Sequence, residues 1–182
     1  MKSGLAILCL GLAALVVQGA LARTLPPPWC PDLAWLVVVG IGMRWPGFLS
    51  GFGLALLLGF SADLVSGSLM GQHALLRLVT YLAAAAASRQ LDLSGAVPVA
   101  IFVFAMSIAY GLALVSTLSF FAGSTGPGLD FFGTAVAFAF VNVLAAGPMI
   151  AAVDRVVARF ADEEVGRRGS IPLGYGPRRG LG

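Results

Sequence analysis

The chain has 182 residues, 59% of them hydrophobic and only 10% Asp, Glu, Lys or Arg, against about 25% charged residues in soluble domains. So few charges cannot cover a soluble globule, and with a mean hydropathy of +0.95 the composition excludes soluble, disordered and nucleic-acid-binding classes and makes lipid the expected solvent. The net charge of +3 is uneven, because six of the eleven Lys and Arg lie beyond Val153, so the basicity belongs to a tail and speaks of membrane orientation.

A helix needs roughly 20 residues to cross about 30 Å of hydrocarbon, and charged residues divide the sequence into runs of comparable size. The first, Ser3 to Ala22, ends in small residues like a signal peptide, but its length and the apolar segments behind it favour a retained first helix. Arg23 to Asp32 reads RTLPPPWCPD, where four prolines impose an extended loop. Leu33 to Met43 is a short second span. Fusing it with the next run would bury Arg44 and place Pro46 inside a helix, so a tight turn at Arg44 to Gly47 is preferred. The third span covers Gly47 to Val65, the fourth Gly71 to Ser88 and the fifth Ala96 to Phe121. In the fourth, Arg77 lies near enough to the start to snorkel to the interface. A Gly-rich turn from Gly123 to Gly128 leads to the sixth span, Phe131 to Val153.

The expected fold is therefore all-α, a polytopic helical membrane protein with about six transmembrane helices in residues 1–153. Residues 154–182 read as a basic, disordered cytoplasmic tail. With six spans, Lys2, Arg44, Arg89 and the six tail arginines share one side, and Arg23 and Arg77 fall opposite. By the positive-inside rule both termini are cytoplasmic.

Few residues carry chemical potential. Gly47, Gly51, Ala55, Gly59, Asp63 and Gly67 recur at steps of four, which places them on one helix face. Such a strip of small residues admits a second backbone, either from the chain's own helices or from a partner. Asp63, flanked by apolar sequence, is a functional carboxylate by position, or else the cap of the helix break beside Ser66 and Ser68. His73 reads as a turn residue. Asn142, at the centre of the last span, needs a partner across helices, and Pro148 frees a carbonyl and can kink that helix. Cys9 and Cys30 have neither metal-ligand nor disulfide spacing. Gly51-Phe52-Gly53 lacks the third glycine of a dinucleotide loop. With one histidine and no carboxylate pair on a membrane helix face, acid–base and nucleophilic templates find no candidates.

The stretch Gly51 to His73, GFGLALLLGFSADLVSGSLMGQH, resembles the bacterial rod shape-determining membrane protein family MreD, with its Gly-rich helix ending in Asp-Leu-x-Ser-Gly and a glycine soon after. Pro31-Asp32 opening a short span is similar too, as is a last helix with Asn142, Pro148, Arg155 and Arg159. The resemblance implies a non-enzymatic inner-membrane component of the cell-wall elongation machinery, without cofactor. It would act with the bitopic protein MreC, the actin-like MreB, the glycosyltransferase RodA and its transpeptidase. Gly59, Asp63, Ser66, Gly67 and Gly71 match the motif, with roles in packing or partner contact. The layout also looks like the substrate-binding subunit of an energy-coupling-factor vitamin transporter. That alternative predicts an outward pocket drawing on Arg23, Trp29, Asp32, Gln72, His73, Arg77 and Asp130.

Overall fold

A computed structural model describes residues 2–67, 69–93, 95–123 and 128–169. Among these the chain is all-helical, with α1 (Lys2–Leu21), α2 (Leu33–Arg44), α3 (Phe48–Ser66), α4 (Gln72–Gln90), α5 (Ala96–Ala122) and α6 (Leu129–Gly169). The breaks fall where backbone chemistry demands them. Proline loosens the chain between α1 and α2 and again at Pro46, and Gly67, Gly71 and Gly123 adopt the left-handed conformation that side-chain-bearing residues resist.

The centre of the bundle is α2. Ala34 to Met43 are all buried, and the helix touches α1, α3, α4 and α6. Its sequence LAWLVVVGIGM is apolar all round, the pattern of an enclosed helix. Close contact is made possible by missing side chains. A Cβ on Gly42 would lie 2.5 Å from the Cβ of Ala84, and one on Gly40 would lie 2.9 Å from Cγ2 of Val153.

The surface around this core is apolar. On α6, Phe132, Val136, Phe140 and Leu144 are exposed, while Ala135, Ala139, Asn142, Ala146 and Ile150 face inward. Exposed Leu56, Leu57, Phe60 and Leu64 on α3 and Leu5, Val16 and Val17 on α1 repeat the theme. Among the described residues, four helices are long and apolar enough to cross a bilayer: Lys2–Leu21, Phe48–Ser66, Ala96–Phe121 and Phe131–Phe160. A helical membrane protein is the architecture these features require.

The last helix runs past residue 153 to Gly169, since the segment beyond Val153 is rich in Ala, Arg and Glu, which favour helix even where hydrophobicity ends. One expectation changes. Arg77 does not snorkel. It is 1% exposed, because its helix starts beside the interior of the bundle and a carboxylate waits there. Ser68, residues 124–127 of the Gly-rich turn and residues 170–182 of the tail lie outside the described residues.

Contacts between α2 and α6 set the depth of everything else. The Asp32 backbone meets Asn142, and twelve residues further along both helices Arg44 meets Asp154 at 3.4 Å. The two helices therefore run parallel, and at 1.5 Å per residue α2 begins about 18 Å above its charged end. That is roughly the middle of a 30 Å hydrocarbon layer.

Candidate functional site: a buried polar layer

A helix that begins in hydrocarbon exposes amide N–H groups that water cannot satisfy. At α2 each of them is met. Asp32 N–H donates to Asn142 Oδ1 at 2.9 Å, Leu33 N–H to the Pro31 carbonyl at 3.1 Å, and Ala34 N–H to Gln18 Oε1 at 3.4 Å. Trp35 N–H donates to the Asp32 carboxylate at 2.9 Å. Asp32 is thus the N-cap, the preferred position for a short acceptor side chain.

The same carboxylate accepts from Arg77 Nη2 at 3.1 Å, while Nη1 of Arg77 donates to the Leu58 carbonyl at 3.1 Å. A buried charge pair holds only when both ions also have hydrogen-bond partners, which α2 and α3 supply. Arg77 Nε is left without one. Trp35 Nε1 donates to Thr80 Oγ1 at 3.1 Å, and Asn142 Nδ2 donates to Ser107 Oγ at 3.2 Å.

Asp63 performs a parallel task on α4. Gly71, the N-cap of that helix, has no side chain to offer. The carboxylate arrives from α3 instead, accepting from His73 N–H at 2.7 Å, Ala74 N–H at 3.0 Å and Gly71 N–H at 3.1 Å. Negative charge at a helix start is favoured by the helix dipole as well as by these bonds. The approach is close because Gly59 lies one turn earlier on α3, where a Cβ would stand 2.5 Å from Ala74 Cα. Asp63 is 1% exposed and accepts from backbone N–H groups at each of these three contacts. Arg77 pairs with Asp32, not with Asp63.

The small-residue strip accordingly divides. Gly51, Ala55, Gly59 and Asp63 are buried, Gly51 against the Tyr81 ring and Gly59 against the α4 backbone, so this face is occupied within the chain. Gly47 and Gly67 cap the two ends of α3, and Ser66 and Gly67 are exposed at the α3–α4 turn. On α6, Asn142 is fully buried in the layer, whereas Pro148 lies on the exposed face.

Beyond the layer, on the side away from Arg44, α5 and α6 enclose a cleft of about 380 Å³ lined by Leu114, Leu118, Phe131 and Phe138, with Gln72, His73 and Ser107 among its polar members. His73 Nδ1 lies 2.8 Å from the Tyr110 hydroxyl. Gln72 Nε2 donates to the Leu114 carbonyl at 3.1 Å and to Thr117 Oγ1. Among the described residues no group of three His, Cys, Asp or Glu converges where a metal ion could sit.

The position of Asn142 at the centre of the last span predicts that it needs a partner, and Ser107 and Asp32 provide it. The Asp32–Arg77 pair escaped sequence reasoning; the available signal was an acidic residue opening a span too short to cross, matched by one arginine inside another span. No family model, curated protein or solved structure matches the chain.

Proposed function

We propose that this protein is a non-enzymatic component of the bacterial cell-wall elongation complex, a multi-pass protein of the inner membrane with both termini in the cytoplasm, as its resemblance to MreD implies. The observation that carries the reading is the α3–α4 hairpin. The residues that make the resemblance, Gly59, Asp63 and Gly71, are the ones that lock this hairpin by close approach and capping, and they leave Ser66 and Gly67 exposed at its turn. A rigid hairpin with an exposed tip suits a protein that holds partners in register. The interior charges support the same reading, since the carboxylates of Asp32 and Asp63 are engaged in holding helix starts.

Depletion in a rod-shaped host tests it: cells round or swell, and the protein co-purifies with MreC in mild detergent. Unchanged rods after full depletion sink the proposal. The cleft between α5 and α6 favours a second reading, the substrate-binding subunit of an energy-coupling-factor transporter, for which tight vitamin binding by the purified protein is the test.

A further inference from the structure

The cleft has a feature that helix packing alone does not account for. Gln72 is 7% exposed and its Nε2 is fixed by two acceptors on α5, which leaves Oε1 buried with no partner. The amide cannot be turned over to relieve this, because Oε1 would then face the Leu114 carbonyl, itself an acceptor. A buried, unpaired acceptor costs roughly what a lost hydrogen bond does. It marks a place where a donor is missing.

The neighbouring groups supply the complement. In the tautomer that accepts the Tyr110 hydroxyl proton at His73 Nδ1, the imidazole carries its own hydrogen on Nε2. Ser107 is 2% exposed and accepts from Asn142, and its own hydroxyl proton has no acceptor among the described residues. Gln72, His73 and Ser107 all line the cleft, offering one acceptor and two donors. Of the full charges near the cleft, Asp32 and Arg77 are engaged with each other, and Asp63 is held by the N–H groups of Gly71, His73 and Ala74. The walls are Leu114, Val115, Leu118, Phe131 and Phe138, and about 380 Å³ falls within the range of ligand clefts, roughly 300–1,000 Å³.

We propose that this cleft is a binding site for an uncharged amphipath, a molecule with a carboxamide or hydroxyl head and an aliphatic body, whose head donates to Gln72 Oε1 and accepts from His73 or Ser107. A headless hydrocarbon leaves these groups unsatisfied. An ionised head arrives without a counter-charge. The site does not depend on the scaffold reading, since it concerns the isolated chain.

The test uses the purified full-length chain in nanodiscs and a dodecanamide carrying a diazirine near its chain end. Saturable photolabelling of α5 and α6 side chains is expected, with dodecanamide competing at least about tenfold better than dodecane or dodecanoate, the discrimination one buried hydrogen bond supplies. Gln72→Met weakens labelling by a similar factor. Gly111 also lines the cleft, and a Cβ there meets Phe131 Cζ at 3.7 Å, an ordinary contact. Gly111→Ala therefore preserves labelling, and Gly111→Leu fills the cleft and abolishes it while thermal stability is retained. Non-saturable labelling, equal competition by dodecanoate, or labelling that survives Gly111→Leu overturns the proposal. So does a cross-link from Leu118 to another protein's helix in cells without saturable labelling, which assigns the groove to a partner. Recovery with MreC is scored separately, so failure of the ligand site and failure of the scaffold reading are distinguishable.

Discussion

Asp32 and Arg77, 45 positions apart, meet through a 3.1 Å carboxylate–guanidinium contact in which the arginine side chain is 2% and the aspartate side chain 10% exposed. The pair ties the start of the central helix to α4, and through Arg77 Nη1 to Leu58 on α3. Three helices thus share one ionic joint at mid-membrane depth.

Breaking one side of that joint leaves an uncompensated charge. Arg77→Met is expected to cost about 3–5 kcal/mol, and Asp32→Asn a similar amount. The double variant should be less destabilised than the sum of the two, since no lone ion remains. Thermal unfolding in detergent, read as a double-mutant cycle, checks this; additive losses would show that the ions act independently.

Asp63 makes a graded prediction. Its two oxygens serve three N–H groups, and an asparagine retains a single acceptor. Asp63→Asn should lose roughly 1–3 kcal/mol, Asp63→Ala more, and hydrogen exchange at His73 and Ala74 should accelerate in that order. Indistinguishable exchange in all three proteins would contradict the capping role.

Glycines on α3 should respond with opposite signs. A Cβ at Gly53 meets nothing within 4 Å, whereas one at Gly59 runs into the α4 backbone. Gly53→Ala is expected to stabilise by about 0.5–1 kcal/mol through helix propensity. Gly59→Leu should destabilise by at least about 1–3 kcal/mol and reduce complex recovery, with Leu57→Ala on the exposed face near neutral. Melting temperatures of the three variants decide.

Orientation can be read from fusions. Arg44 and Asp154 lie at one end of the bundle, so reporters after Arg44 and Gly182 should both register the cytoplasm and one after Gly126 the opposite side. An external signal at Gly182 would reverse the topology.

Much of this architecture was legible because lipid makes sequence simple: charges, prolines and glycines fall at helix ends, and all six helices begin or end within a few residues of those marks. The small-residue strip was legible as a close-packing face by its step of four. What the sequence withheld was pairing. Arg77 lies five residues into α4, a position from which a long side chain ordinarily reaches the interface, and only the three-dimensional course of the Pro-rich loop brings Asp32 beneath it. Asp63 was ambiguous for the related reason that its partners are backbone amides, which carry no signature in the side-chain pattern. The extension of α6 past Val153 was obscured because hydropathy marks where lipid ends, not where helix does.

The sealing of α2 has a consequence for how the protein is made. Its first amide is met by Asn142, 110 positions downstream, and its flanks rest on α4 and α6. During synthesis, Asp32 and the open amides behind it wait without Arg77 or Asn142 while most of the chain is still to be translated. The short second helix is therefore expected to take its final seat only once α6 is in place. Shortening the nascent chain before Asn142 should leave α2 accessible to protease or thiol reagents and release of the full chain should close it, so that the end of translation coincides with the closing of the core.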